Sequence, residues 1–189
     1  MGKTYEGIDE RMASWIAGQP MFFVATAPAT GGHVNVSPKG LDDTFAVIDE
    51  HTVAYLDLGG SGAETIAHVR ENGRITLMFC AFDGPARIVR FYGRGDTLFP
   101  GDAEWDSLRS RFGEYRARNI VRVRVDRIAD SCGFGVPHME LVEQRSRLTE
   151  WVGARSDEEL AAYRAEKNRA SIDGLPAIDV PEHDTAASE

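Results

Sequence analysis

A glycine-rich turn, Gly59-Gly60-Ser61-Gly62, follows an apolar, strand-like segment and precedes a helical one. Backbone N–H groups at the start of a helix have no partner within the helix, so such a turn can bind an anionic group such as a phosphate. The spacing from Ser61 to Glu64 is also that of a capping box, in which Ser61 only caps the helix and Glu64 competes with an anion for the same N–H groups. The turn therefore has two interpretations, an anion site or an ordinary helix start.

Ser37 and Lys39 flank Pro38, at the end of a segment that alternates polar and apolar residues. Proline lacks the N–H that continues a β-ladder, so we expect the strand to end there and both side chains to turn out of the ladder. Lys39 would then carry a positive charge to an anionic ligand, unless it is a solvated turn lysine. Arg87 and Arg90, just after a proline-containing turn, are similarly either anion contacts or outward-facing strand charges.

Other catalytic or metal-binding motifs are absent from the sequence. The five histidines include no pair at the spacing of a helical metal site, so we expect no dedicated metal site. There is no nucleophile elbow, no P-loop and no dinucleotide-binding glycine motif at the start of a helix. The sequence therefore names no catalytic acid, base or nucleophile.

Composition fits a globular protein and limits its partners. The chain has 189 residues, of which 42% are hydrophobic, and a formal net charge of −9, which disfavours nucleic acid and anionic membranes as partners. No segment approaches the roughly 20 apolar residues of a membrane span, and the N-terminus lacks the apolar core of a signal peptide. We therefore expect a cytoplasmic protein, with Cys80 and Cys132 as reduced, buried thiols.

Hydrophobic periodicity predicts a mainly β (α+β) protein whose connections suit antiparallel hairpins. Regular alternation of strand and helix, which a parallel sheet requires, is missing, so a closed antiparallel barrel with helices at its ends is predicted. Ser156 and Glu159 predict a second capping box. The predicted helices cover residues 8–16, 61–72, 102–112, 148–152 and 158–168, and the predicted strands cover 21–26, 33–37, 45–48, 52–58, 74–82, 86–98 and 119–128.

Several of these segments together resemble a known family. They are Ser-Pro-Lys-Gly at residues 37–40, Gly-Ser-Gly-Ala-Glu-Thr at 60–65, Asn-Gly-Arg-Ile-Thr-Leu-Met-Phe at 72–79 and Ala-Arg-Ile-Val-Arg-Phe-Tyr-Gly at 86–93. Over residues 8–128 the chain resembles the pyridoxamine 5'-phosphate oxidase-like, FMN-binding split-barrel family. Residues 133–137 and 163–168 resemble a less studied bacterial branch of it.

The resemblance implies an antiparallel split β-barrel with flanking helices, a homodimer, and a flavin bound at the dimer interface. It implies that Val36, Ser37 and Lys39 contact the flavin from one subunit. Gly60, Ser61 and Thr65 would line the phosphate side, and Arg87 resembles a polar contact from the strand after the turn.

The chain also departs from the true oxidases of this family. The true oxidases have a basic pair at the turn where this chain has Ser61-Gly62-Ala63. They also end in a Trp- and Arg-containing motif, which this sequence lacks. The resemblance therefore implies a flavin enzyme that does not oxidise pyridoxamine phosphate.

The resulting hypothesis is an FMN-dependent oxidoreductase that transfers hydride through flavin N5 to or from an unknown small molecule, with Lys39 or nearby amides stabilising the reduced ring. The alternatives are a deazaflavin-dependent reductase, a non-catalytic FMN- or haem-binding module with His33 or His68 as axial ligand, and a cofactor-free barrel. We expect residues 1–130 to form the flavin-binding domain, 131–180 a helical extension packed on it, and 181–189 a disordered tail.

Overall fold

The computed structural model describes residues 2–179, which form eight strands and five helices. In chain order the elements are β1 (Thr4–Tyr5), α1 (Glu10–Ala17), β2 (Met21–Thr26), β3 (Asn35–Gly40), β4 (Phe45–Asp49), β5 (Thr52–Asp57), α2 (Glu64–Asn72), β6 (Arg74–Cys80), β7 (Ile88–Leu98), α3 (Trp105–Arg109), β8 (Asn119–Ser131), α4 (Arg147–Gly153) and α5 (Asp157–Lys167).

All strands belong to one antiparallel sheet with the order β3-β2-β6-β7-β8-β5-β4, and β1 adds to β8. The sheet curls into a half-barrel flanked by helices, which confirms the predicted split-barrel fold. Full closure of the barrel was wrong for the described residues: β3 and β4 end the sheet, and no ladder between residues 2 and 179 joins them.

The strand β3 continues through Pro38, contrary to the expectation that it ends there. Pro38 lies opposite Phe23, and Lys39 and Gly40 still pair with β2. This is possible because β3 is an edge strand, where a residue without an N–H can face the unpaired side of the sheet. Ser37 and Lys39 therefore stay in the ladder.

The largest hydrophobic cluster lies on one face of the sheet. Phe22, Phe79, Phe91 and Tyr55 are buried there together, with Met12 of α1 covering one end of the cluster. Alternate residues of β5 and β8, such as Leu56 and Ile120, face the other side, as the two-residue repeat of a strand requires, and pack against α3.

The helix α2 does not begin as predicted. Its N-cap is Ala63, and Ser61 is exposed and makes no capping hydrogen bond. The Glu64 side chain, which a capping box would turn back to Ser61, instead accepts a hydrogen bond from the backbone N–H of Ile172 at 3.2 Å. The helix ends at Gly73, which has a φ of 72° that suits glycine.

The second capping box is confirmed. The Ser156 Oγ accepts from the N–H of Glu159 at 3.2 Å, and the Ser156 N–H donates to the Glu159 carboxylate at 2.8 Å. The other helix and strand predictions hold except at their ends, where α3 is shorter than predicted and β8 is longer.

The segment after α5 packs on α2. Ala177 is fully buried against Ala63, Ile66 and Ala67, which ties the C-terminal part of the described chain to the helix that starts at the glycine-rich turn. The predicted tail, residues 181–189, lies outside the described residues.

Two further expectations concern burial. Cys80 is buried and free as predicted, but Cys132 is exposed because it follows the end of β8, so the prediction for Cys132 was wrong. Between residues 2 and 179, none of the helices has the length and apolar character needed to cross a membrane.

Candidate functional site

Asn35, Ser37 and Lys39 line the inward face of the edge strand β3. They lie opposite Thr26, Val24 and Phe22 of β2, all of which are buried, and directly paired residues share a face of the sheet. Val36 alternates to the other face and is 62% exposed.

A small hydrogen-bond network connects β3 with the start of α2. The Ser37 Oγ donates to the Asn35 Oδ1 at 3.0 Å, and the Asn35 Nδ2 donates to Thr26 Oγ1 and Thr65 Oγ1, both at 3.1 Å. The structure therefore brings two predicted site residues, Ser37 and Thr65, together through Asn35.

Lys39 belongs to a buried charge cluster. Its Nζ lies 3.9 Å from the Asp57 Oδ1, and Arg118 donates from Nη2 to the Asp57 Oδ2 at 2.8 Å. The side chains of Asp57 and Arg118 are only 2% and 4% exposed. The three side chains together carry one more positive than negative charge.

The ionisation of Asp57 follows from these neighbours. Burial acts to raise the pKa of this carboxyl, but the charges of Lys39 and Arg118, with hydrogen bonds from Arg118 and the Gly59 N–H, outweigh it. They hold the pKa of Asp57 well below its usual range. Asp57 is therefore an ionised anchor for the two cations at neutral pH.

Lys39 and Asp57 border a cavity of about 880 Å³. Its walls are the ends of β3 and β5 and residues from 139–151, which lie between β8 and the end of α4. This volume is within the range of small-molecule sites, which are mostly apolar with a few polar groups. The lining is mainly apolar and includes Met21, Leu41, Leu56, Leu58 and Trp151.

The glycine-rich turn lies beside this cluster. Arg118 donates from Nη1 to the Gly62 carbonyl at 2.9 Å, and the Asn168 Nδ2 donates to the carbonyl of Gly60 at 3.0 Å. Gly60 and Ser61 therefore lie just before α2, the helix that contains Thr65. Five of the seven predicted contacts, Ser37, Lys39, Gly60, Ser61 and Thr65, thus belong to the inward face of β3 or to the start of α2, whereas Val36 faces the other way.

Arg87 is the predicted contact that lies elsewhere. Its guanidinium lies 4.9 Å from the centre of the Trp15 ring and donates to the Tyr5 hydroxyl at 3.2 Å. The adjoining Ile88 pairs with Ser131 at one end of β8, whereas Asp57 pairs with Asn119 at the other end. Within one chain, Arg87 and Lys39 are therefore not parts of one cluster.

The two histidines considered as axial ligands do not border the cavity. His68 is fully buried, with Nδ1 3.0 Å from the Thr26 Oγ1, and burial lowers the pKa of its ring. His33 is exposed, and its Nδ1 lies 2.7 Å from an Asp173 carboxylate oxygen. Each ring thus has a structural partner away from Lys39.

Four residues of this region were not predicted as site residues from the sequence: Asn35, Asp57, Arg118 and Asn168. Asp57 had a usable signal, because alternation along β5 places it on the same face as the buried Tyr55, and a buried carboxylate needs a cation. Arg118 and Asn168 are 61 and 111 residues away from it in the chain, and no local pattern indicates that they meet the turn.

Comparisons with known proteins identify the family of the chain. Residues 8–132 match the profile of the family described as pyridoxamine 5'-phosphate oxidase. The "pyridoxamine 5'-phosphate oxidase family protein ustO" of Aspergillus flavus is 39% identical over 191 aligned positions, covering 92% of this chain and 77% of that protein. The chain belongs to the pyridoxamine 5'-phosphate oxidase family.

Solved structures extend the comparison to the fold. HupZ of Group A Streptococcus is 24% identical, with a TM-score of 0.52 over 66% of this chain and 99% of that one. A Lactobacillus delbrueckii protein named as a candidate pyridoxamine 5'-phosphate oxidase is 17% identical, with a TM-score of 0.51 over 67% of this chain and 98% of that one. These likenesses confirm a fold common to this oxidase family and to HupZ.

Proposed function

We propose that the chain is an FMN-dependent oxidoreductase that acts as a homodimer on a small molecule. The observation that carries the proposal is Lys39, a partly buried cation anchored by Asp57 at the edge of a largely apolar cavity of about 880 Å³. When bound, FMN supplies hydride transfer at its N5 atom, and the protein supplies binding, orientation and electrostatics.

Lys39 would stabilise negative charge on the bound cofactor. The Lys39–Asp57–Arg118 cluster keeps one net positive charge in a region of low exposure, where charges interact more strongly than in water. A cation so placed favours a ligand edge that gains negative charge on reduction. Asp57 is ionised and paired, so its part is to position Lys39 and Arg118, and not to move a proton.

Two buried residues near the Lys39–Asp57–Arg118 cluster have unsatisfied polar atoms, although neither residue lines the cavity. Within residues 2–179, the hydroxyl of Tyr55 and both side-chain polar atoms of Asn119 are buried and lack a hydrogen-bond partner. The Lys39 Nζ lies 5.9 Å from the centre of the Tyr55 ring, and Asn119 pairs with Asp57. Buried polar groups are normally satisfied by protein, water or ligand.

The exposed edge of β3 supports the homodimer. Val34 and Val36 are 71% and 62% exposed, next to a strand edge whose hydrogen-bonding groups face away from β2. Apolar side chains at an unpaired edge favour a protein partner. Arg87 and Lys39 of one chain lie at opposite ends of β8, so in this proposal the Arg87 contact to the flavin comes from the second subunit. The proposed location is the cytoplasm.

Haem is the weaker cofactor proposal. His68 is fully buried in the core and His33 lies at the surface beside Asp173, and neither residue borders the cavity, so neither imidazole is placed to bind haem there. A deazaflavin has a tricyclic ring system of the same shape as that of FMN, and it is the alternative ligand for the cavity.

The test of the redox role is the reduction potential of bound FMN in the wild type and in Lys39→Met, measured by spectroelectrochemistry. Loss of the cation should shift the potential to more negative values, since the reduced ring loses its counter-charge. Lys167→Met, which removes an exposed cation, should leave it unchanged. Equal potentials in the wild type and Lys39→Met would remove Lys39 from the flavin site.

A further inference from the structure

A second cavity, of about 480 Å³, lies beside the larger cavity of about 880 Å³. Pro20, Met21, Gly40 and Leu41 line both cavities, so the two spaces adjoin. The second cavity is bounded by α1, by the loop from β3 to β4, and by β4 itself. Its volume lies within the range of roughly 300–1,000 Å³ that is typical of small-molecule sites. The proposed cofactor site thus has a neighbouring space that is large enough for a second ligand.

Three aromatic rings form one wall of the second cavity. The ring centre of Phe45 lies 5.1 Å from those of Phe22 and Phe79, which are 5.3 Å from each other. Phe22 and Phe79 are buried, whereas Phe45 is only partly buried. Water has few hydrogen-bond partners in such an apolar space, and aromatic rings pack well edge to face. The wall therefore favours a ligand with an aromatic group.

The charge around the second cavity is negative. Asp42 and Asp43 are the charged residues among those that line it, and both are exposed. The larger cavity, in contrast, is bordered by the cation Lys39. Because like charges repel, the two aspartates disfavour an anionic ligand in the second cavity. An uncharged ligand fits this combination of apolar walls and an acidic border.

The loop from β3 to β4 is held in an uncommon backbone conformation. Leu41 and Asp43 have φ values of 73° and 55°, in the left-handed region that residues other than glycine rarely adopt. The Thr44 Oγ1 donates to the carbonyls of Gly40 and Leu41 at 3.0 and 2.8 Å, and the Gly113 N–H donates to the Asp43 carbonyl at 2.9 Å. Strained backbone persists where surrounding contacts fix it, and it is concentrated at ligand sites. These hydrogen bonds fix the loop where it borders both cavities.

We propose that the second cavity binds an uncharged aromatic group of the substrate, beside a cofactor in the larger cavity. As a substrate site the second cavity rests on the proposed function, whereas its affinity for an uncharged aromatic molecule does not. Met21 and Leu41, which line both cavities, form part of the boundary between the two ligands.

The experiment fills the second cavity from α1. Ala13 is partly buried and lines the second cavity but not the larger one, so Ala13→Leu takes up space in the second cavity alone. Ala162→Leu is the matched control, at an exposed position of α5 that lines neither cavity. The ligands are 2-naphthol, which is uncharged at pH 7, and naphthalene-2-sulfonate, which has the same rings and a negative charge. Isothermal titration calorimetry gives the dissociation constants, with and without saturating FMN.

The wild type should bind 2-naphthol with and without FMN, with dissociation constants that agree within about twofold. With FMN bound, naphthalene-2-sulfonate should bind roughly tenfold more weakly than 2-naphthol. Ala13→Leu should weaken 2-naphthol binding roughly tenfold, and Ala162→Leu should leave it unchanged. The dissociation constant of FMN should be the same for both variants and the wild type.

The outcomes separate this inference from the proposed function. If the wild type does not bind 2-naphthol, the inference is overturned, whether or not FMN binds. If saturating FMN displaces 2-naphthol, or if Ala13→Leu binds it as tightly as the wild type, 2-naphthol does not occupy the second cavity and the inference is overturned as well.

If 2-naphthol binds as expected and FMN does not, the aromatic site stands and the proposed function fails. Should Ala13→Leu not fold, Ala17→Leu decides in its place, because Ala17 is exposed and lines the same cavity.

Discussion

The ammonium of Lys39 lies 3.9 Å from one carboxylate oxygen of Asp57, whose other oxygen accepts a hydrogen bond from Arg118 at 2.8 Å. This ion pair links the end of the edge strand β3 to the end of β5, and it holds a cation at the border of the cavity.

Substitution of Lys39 should affect the cofactor more than the fold. Lys39→Ala removes a partly exposed cation and leaves the Asp57–Arg118 pair intact, so FMN binding should weaken by about 10- to 100-fold, as for loss of a charged hydrogen bond of about 1.5–3 kcal/mol. The free energy of unfolding in urea should change by less than about 1 kcal/mol. An unchanged dissociation constant for FMN would exclude Lys39 from the site.

The buried ion pair predicts a pH-dependent stability. Asp57→Asn leaves the Arg118 charge without its counter-ion and should destabilise the fold by about 3–5 kcal/mol at pH 7. Because the folded pKa of Asp57 is depressed, the stabilisation is complete above the unfolded value of about 3.9 and is lost as the pH falls through the lower folded value.

The stability difference between wild type and Asp57→Asn, measured by urea unfolding, should therefore be constant from pH 7 to 5 and shrink below about pH 4. A stability difference that grows as the pH falls would contradict the lowered pKa of Asp57 in the folded state.

The two Ser-x-x-Glu segments show when local spacing is sufficient to predict a helix cap and when it is not. Local spacing was sufficient at Ser156, where the capping box has no competitor. At Ser61 the same spacing failed, because Glu64 bonds Ile172, 108 residues away. The strands and hairpins followed from periodicity, since the alternation of buried and exposed residues is a local property.

The composition of the site was harder to predict. Family resemblance indicated Ser37, Lys39 and Thr65, but their connection through Asn35, Asp57 and Arg118 is made by tertiary contacts. The end of β3 at Pro38 was mispredicted because a sequence does not tell which strand lies at the edge of the sheet.

The close approach of β7 to β8 at Gly93 offers a test of the fold. A Cβ at Gly93 would lie 2.1 Å from the Arg124 carbonyl oxygen, so Gly93→Ala must displace backbone, and we expect a destabilisation of about 3 kcal/mol. Gly153, at the end of α4, has open space around its Cβ position, so Gly153→Ala should change stability by less than about 1 kcal/mol. Equal urea midpoints for the two variants would contradict the packing of these strands.

The edge strand predicts where the subunits meet. Val36→Asp places a charge on an exposed apolar position of β3 and should shift the protein from dimer to monomer in light scattering, with weaker FMN binding as a result. Ala162→Asp, at an exposed position of α5, is the control and should stay dimeric. A Val36→Asp dimer with wild-type mass and FMN affinity would locate the interface elsewhere.

Binding of FMN in the cavity bordered by Lys39 and Asp57 can be measured by absorbance and fluorescence titration of the purified protein with FMN. We expect a yellow complex with shifted flavin bands, saturating quenching of flavin fluorescence, and a weaker complex for Lys39→Ala. A protein that leaves the FMN spectrum unchanged, or that develops a Soret band with haem instead, would contradict this expectation.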